Sequence, residues 1–92
     1  MKQILNILLG IKFDAIEIEN EYSFQYEYHK GYFADVNFIG FEKVDDKWMA
    51  VVTELVDGQN DAYQIEISNI PPSIAPQILK DLQENKFTPI ED

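Results

Sequence analysis

His29 is the only histidine in the chain, and any acid–base chemistry it could run depends on what stands beside it. It ends the stretch Tyr22–His29, Tyr-Ser-Phe-Gln-Tyr-Glu-Tyr-His, whose period-two alternation marks a β-strand with Tyr22, Phe24, Tyr26 and Tyr28 on one face. Ser23, Gln25, Glu27 and His29 share the other. A proton relay needs a nucleophile and an orienting carboxylate within hydrogen-bond reach of the imidazole. Glu27 lies two positions away, but Ser23 lies six residues along the strand, roughly 20 Å off at about 3.3 Å per residue. His29 therefore reads as a surface residue.

Two other groups of side chains could do chemistry. Any pair among Glu17, Glu19, Glu21 and Glu27 could supply the two carboxyls of a retaining glycosidase, which stand about 5 Å apart. Such an enzyme also needs a cleft for several sugar units, which a two-layer domain of 92 residues scarcely holds. Asp57-Gly58-Gln59-Asn60-Asp61 offers oxygen ligands around a glycine, yet it lacks the alternating acids and terminal glutamate of a calcium loop. The same residues suit a five-residue hairpin loop. Zero cysteines remove disulfide scaffolds, thiolate metal sites and cysteine nucleophiles together. The reading is of a protein that is not an enzyme, with no catalytic residue, metal site or cofactor.

Charge is the stronger signal. Seventeen acidic residues against seven basic ones give a formal charge of −10. Every base is lysine, so the guanidinium fork that grips phosphates and guanine edges is missing. Phosphate backbones repel such a surface, which argues against direct nucleic-acid binding. Asp14, Glu17, Glu19, Glu21 and Glu27 follow one another with no base among them. Projected from one face of a strand pair, Glu17, Glu19 and Glu27 would form a row of carboxylates a few ångströms apart. Such a row resembles a nucleic-acid backbone in charge density and suits the basic groove of a protein partner. The bland alternative is a solvated face that keeps an aromatic-rich domain soluble.

The elements that must position these residues follow from periodicity. Ile4, Leu5, Leu8 and Leu9 make an apolar helical face ended by Gly10, with a strand as the alternative. A strand over Ala15 to Glu19, a tight reversal at Asn20-Glu21 and the aromatic strand come next. A third strand spans about Asp35 to Val44 and a fourth Trp48 to Val56, each apolar on both faces and hence central. Ala62 to Ser68 is the fifth, with Tyr63, Ile65 and Ile67 inward, closed by Pro71 and Pro72. Ser73 reads as the cap of a second helix with Ile74, Ile78, Leu79 and Leu82 on its apolar stripe and Asp81 on its wet face. Residues 88–92 read as a frayed acidic tail. The fold expected is a single α+β domain over 1–92: a five-stranded antiparallel meander, curled to some degree, with both helices on one face. A half-barrel is the runner-up.

Two functional expectations follow. The first is a small acidic protein-binding module that occludes a basic site on a protein partner, as an inhibitor, an immunity protein or a nucleic-acid mimic. The second is an assembly module that self-associates, or joins a larger complex, through an aromatic surface of Tyr22, Phe24, Tyr26 and Tyr28, or of Tyr32 and Phe33. Tyr32 and Phe33, in a turn between Gly31 and Asp35, either cap the core or belong to that surface. Asp14, Glu17, Glu19, Glu21, Glu27, Tyr32 and Phe33 are the candidate partner-binding residues. A small-molecule pocket between helices and sheet is a third, weaker option. No apolar run is long enough to span a membrane. The apolar start of the chain is short, broken by Asn6 and without a small-residue cleavage site before Asp14, so a cytoplasmic location is expected.

Overall fold

A computed structural model describes residues 2–90. Helix α1 (Lys2–Leu9) leads into four strands, β1 (Ala15–His29), β2 (Tyr32–Val44), β3 (Lys47–Val56) and β4 (Gln59–Ile65). A 3-10 turn (Ile67–Asn69), helix α2 (Ala75–Gln83) and a short strand β5 (Phe87–Pro89) complete the chain. All pairings are antiparallel, and the sheet order is β4-β3-β2-β1-β5. The fold is thus α+β with five strands in one open sheet, and the curl does not close into a barrel. β2 holds the central place.

The strand count agrees with the expectation, but its composition does not. No reversal occurs at Asn20-Glu21: β1 runs unbroken from Ala15 to His29. Its ladder with β2 carries an irregularity instead, since Glu17 pairs with Gly40 and Tyr22 with Phe38. The fifth strand comes from the C-terminal segment. Ile16, Glu17 and Ile18 pair with Pro89, Thr88 and Phe87, and the Ile90 amide donates to the Ala15 carbonyl at 2.9 Å. Thr88, Pro89 and Ile90 are therefore held against the sheet rather than frayed; Glu91 and Asp92 lie outside the described residues.

Three two-residue turns join the long strands. Asp45 and Asp46 both have positive φ (50° and 63°), as do Asp57 and Gly58 (49° and 81°), the mirror-image geometry that matches strand twist. The five-residue loop expected at 57–61 is thus a tight turn at Asp57-Gly58, with β4 starting at Gln59. β2 looks apolar on both faces because a bulge switches its phase. Phe38 pairs with Val52 and Gly40 with Val51, leaving Ile39 as the extra residue. Phe38 and Phe41 consequently face the same core, their rings 5.1 Å apart and edge-on.

One face of the sheet is covered. Ile4 and Leu8 of α1 and Ile78 and Leu82 of α2 join Ile16, Ile18, Val36, Phe38, Phe41, Trp48, Ala50, Val52 and Ile65 in a single core. Trp48 is buried there, with Lys43 Nζ 5.3 Å above its ring. The second helix is capped by Ile74, not Ser73, and Ile74 offers no side-chain bond. The Pro71 carbonyl instead accepts the Ile74 and Ala75 amides, both at 3.1 Å. At its far end Asn85 sits at φ 58°, and the Asn85 and Lys86 amides donate back to the Leu82 and Asp81 carbonyls, a Schellman closure with asparagine in the left-handed position.

Candidate functional site

In an antiparallel meander alternate turns lie at the same end of the sheet. Lys30-Gly31 and Asp57-Gly58 therefore share one end, and Asp45-Asp46 marks the other. The helices do not reach the first end. Tyr28, Tyr32 and Phe33 around one turn and Leu55 beside the other are 58%, 60%, 56% and 69% exposed, and Val56 is exposed as well. Tyr28 and Tyr32 lie 6.3 Å apart by ring centroids, with His29 5.7 Å from Tyr32. Phe33 pairs with Glu27 across the first hairpin. Val36 pairs with Glu54, so Leu55 follows on the open face beside Asp35. Large apolar side chains thus emerge on both faces at one end of the molecule, and exposed surface of this kind marks contact sites.

Carboxylates ring this end. Glu27 accepts a long 3.4 Å bond from the Gly31 amide, with Asp35, Glu54 and Asp61 nearby on β2, β3 and β4 and Asp57 in the turn between β3 and β4. Tyr63 donates to Glu54 Oε1 at 2.7 Å, and burial together with that bond pushes its phenol well above the ordinary tyrosine range. The Tyr26 ring lies 6.3 Å from that of Tyr63, reaching across the small Ala34 opposite it. The aromatic row grades from half-buried Tyr22, Phe24 and Tyr26 to exposed Tyr28, so Phe24 and Tyr26 are less covered than a core position would be.

At the opposite end of β1 the chain builds a polar lock. Asp81 of α2 is 4% exposed, the one buried charged side chain among the described residues, and not the wet-face residue its type suggests. Its Oδ2 accepts from Tyr22 Oη at 2.6 Å and from Asn20 Nδ2 at 2.9 Å. Burial first, then the Asp81 bond, pushes the Tyr22 phenol up to about 12. The lock fastens α2 to the irregular segment of β1 and explains why a polar Asn20 interrupts the apolar row. It serves the fold, joining helix to sheet through one carboxylate.

Of the seven predicted site residues, Glu27, Tyr32 and Phe33 come together at the aromatic end. Asp14, Glu17, Glu19 and Glu21 gather near the other end of β1, all exposed, with Asp14 3.8 Å from Lys43 Nζ. Ten residues of one continuous strand separate Glu17 from Glu27, up to roughly 30 Å at about 3.3 Å per residue. The close carboxylate row expected from a strand pair therefore does not form. Tyr28, Leu55 and Val56 were absent from the predicted set. Their signal was available: they flank the two turns that a meander brings to one end.

Two concavities bear on the small-molecule option. One of about 390 Å³ lies between α1 and α2, lined by Gln3, Ile4, Pro72, Ala75, Pro76 and Leu79. The other, about 180 Å³, lies on the open face beside Gly40, Val51 and Ile90. Gln3 is the one polar side chain lining the first, and Glu17 and Glu42 line the second, against the several placed polar groups that usually fix a ligand's orientation. Among the described residues no cluster of three or more metal-ligating side chains occurs, and no helix is long and apolar enough to cross a membrane. Compared with protein-family models, with curated proteins and with solved structures, the chain matches none.

Proposed function

We propose that this chain is a small acidic protein-binding module that meets its partner with the aromatic end of the sheet. One observation carries the reading: Tyr28, Tyr32, Phe33 and Leu55 stand more than half exposed at a single end, where no other described residue covers them. Aromatic anchors surrounded by polar residues are the usual anatomy of a binding hot spot. Glu27, Asp35, Glu54, Asp57 and Asp61 outnumber Lys30 in that rim, so the complementary partner is a protein with an apolar patch bordered by Lys or Arg. Occlusion of a basic site, as an inhibitor or immunity protein would achieve it, fits this chemistry. Electrostatic complementarity of this kind speeds association and selects the partner, while the desolvated aromatics hold it.

The test is affinity capture from the native source with three baits: the unaltered protein, Tyr32→Ser with Phe33→Ser, and Glu17→Lys with Glu19→Lys. A partner lost by the first pair of changes and kept by the second supports the aromatic end. Loss with the second pair alone would move the contact to the carboxylates near the start of β1 and favour the mimic of a nucleic-acid backbone.

A further inference from the structure

Sheet edges are the other unspent surface. β5 covers only the start of β1, pairing with Ile16, Glu17 and Ile18, and the last contact on that side is the Glu19 amide donating to the Lys86 carbonyl at 3.3 Å. From Asn20 to His29 no described residue pairs with β1 on the side away from β2. Tyr22–His29 is thus an open edge of eight residues, roughly 26 Å long at about 3.3 Å per residue. It carries no proline or lysine and a single carboxylate, Glu27, so it lacks most of the devices that keep strand edges from pairing. β4 is the other edge, but it is shorter and offers only Ala62, Tyr63 and Ile65 as apolar residues.

We propose that this edge of β1 takes an extended segment of the protein partner as a sixth strand, and that the segment alternates apolar residues with Lys or Arg. The inference rests on the protein-binding reading above and names the form of the partner. Its two faces dictate the alternation. On the covered face the incoming strand lies beside half-buried Tyr22, Phe24 and Tyr26 and exposed Tyr28, whose rings leave their flanks open to apolar side chains. On the open face it lies beside Ser23, Gln25 and Glu27, with Asp35 opposite Gln25 and Glu19 and Glu21 at the near end. No lysine stands between Lys12 and Lys30, and Lys86, at the corner, is held by Glu84 at 3.4 Å. Cations on that row of the guest meet unopposed carboxylates. A second copy of this chain, itself of net charge −10, would set its own Glu27 and no lysine along that edge. Backbone bonds from such strand addition supply affinity and the alternate side chains supply selectivity.

Probe peptides of about ten residues that alternate valine with lysine, and the same peptides with glutamate for lysine, test this directly. The expected result is slowed amide exchange at Tyr22–His29 with the lysine peptide, binding at least about ten-fold tighter than the glutamate peptide, and weakening as salt rises. Gln25→Lys with Glu27→Lys should weaken that binding by a similar factor. Protection confined to β4 or to the hairpin end, equal binding of both peptides, or concentration-dependent protection of β1 without peptide would each overturn the proposal. The last outcome would mean that a second copy takes the edge. If the native partner is lost by Tyr32→Ser with Phe33→Ser yet kept by Gln25→Lys with Glu27→Lys, the binding module stands and strand addition falls.

Discussion

At the scale of single residues, Asp81 shows how a charged side chain can belong to the core. It lies seven positions after Ile74 and three after Ile78, so helical spacing places it on the apolar stripe; only its residue type argues for the wet face. Spacing was the better guide, because Tyr22 and Asn20 meet its carboxylate. Asp81→Ala should cost about 1–3 kcal/mol, since it leaves half-buried Tyr22 and exposed Asn20 without their acceptor, and Tyr22→Phe should cost less because Asn20 still serves the carboxylate. Chemical denaturation of both variants and their double mutant measures the coupling. Tyr22 also makes the fold alkali-sensitive. An unfolded tyrosine loses its proton near pH 10, while the folded Tyr22 holds it to about 12; its contribution is complete below pH 10 and disappears as pH rises through 12. Tyr63 acts in the same direction. Ultraviolet titration should show late-ionising phenol that is lost in Tyr22→Phe with Tyr63→Phe, and an unchanged titration would contradict the lock.

At the scale of elements, the false hairpin at Asn20-Glu21 is the instructive error. A two-residue turn there would pair Glu19 with Tyr22 and Ile18 with Ser23, setting the two apolar rows on opposite faces. One continuous strand keeps Ile16, Ile18, Tyr22, Phe24 and Tyr26 in a single parity, so the sequence pattern itself opposed the turn. The places of the turns at Lys30-Gly31, Asp45-Asp46 and Asp57-Gly58 were legible because glycine or aspartate at positive φ is what such turns demand; their lengths were not, since Tyr32 and Phe33 belong to β2 and Gln59, Asn60 and Asp61 to β4. β5 was not legible: three residues ending in a proline carry no alternation to read, and Pro89 stands on the outermost strand, where its missing amide is tolerated. Gly40 is the position where element packing depends on one atom. A Cβ there would come within 2.1 Å of the Ile16 carbonyl oxygen. Gly40→Ala must push β1 away from β2 and should cost more than about 3 kcal/mol, beyond ordinary overpacking, because backbone rather than a side chain is in the way. Asp46→Gly works the other way: it relieves a non-glycine residue at φ 63° and removes one of two adjacent charges, for a gain of about 0.5–1 kcal/mol. Thermal unfolding of the pair checks both signs.

At the scale of the whole molecule, charge and shape act against each other. Among the described residues Lys43 pairs with Asp14, Lys47 with Glu66 and Lys86 with Glu84, and each pair is partly exposed and worth little. Most of the seventeen carboxylates therefore repel one another across a domain whose longest extent is 35 Å. At low ionic strength the Debye length approaches this size, at about 30 Å in 0.01 M salt, and it falls to about 8 Å at 0.15 M. Screening should relieve the folded state more than the expanded chain, so the melting temperature should rise as sodium chloride is raised over that interval. The same screening should weaken capture of a partner rimmed with basic residues. The two responses have opposite signs, which separates a charge kept for recognition from one that only solubilises. A module whose acidity serves only solubility would gain stability with salt while its partner affinity stayed flat. Melting curves and partner titrations across one salt series decide between these, and a flat affinity would return the contact to the aromatic side chains alone.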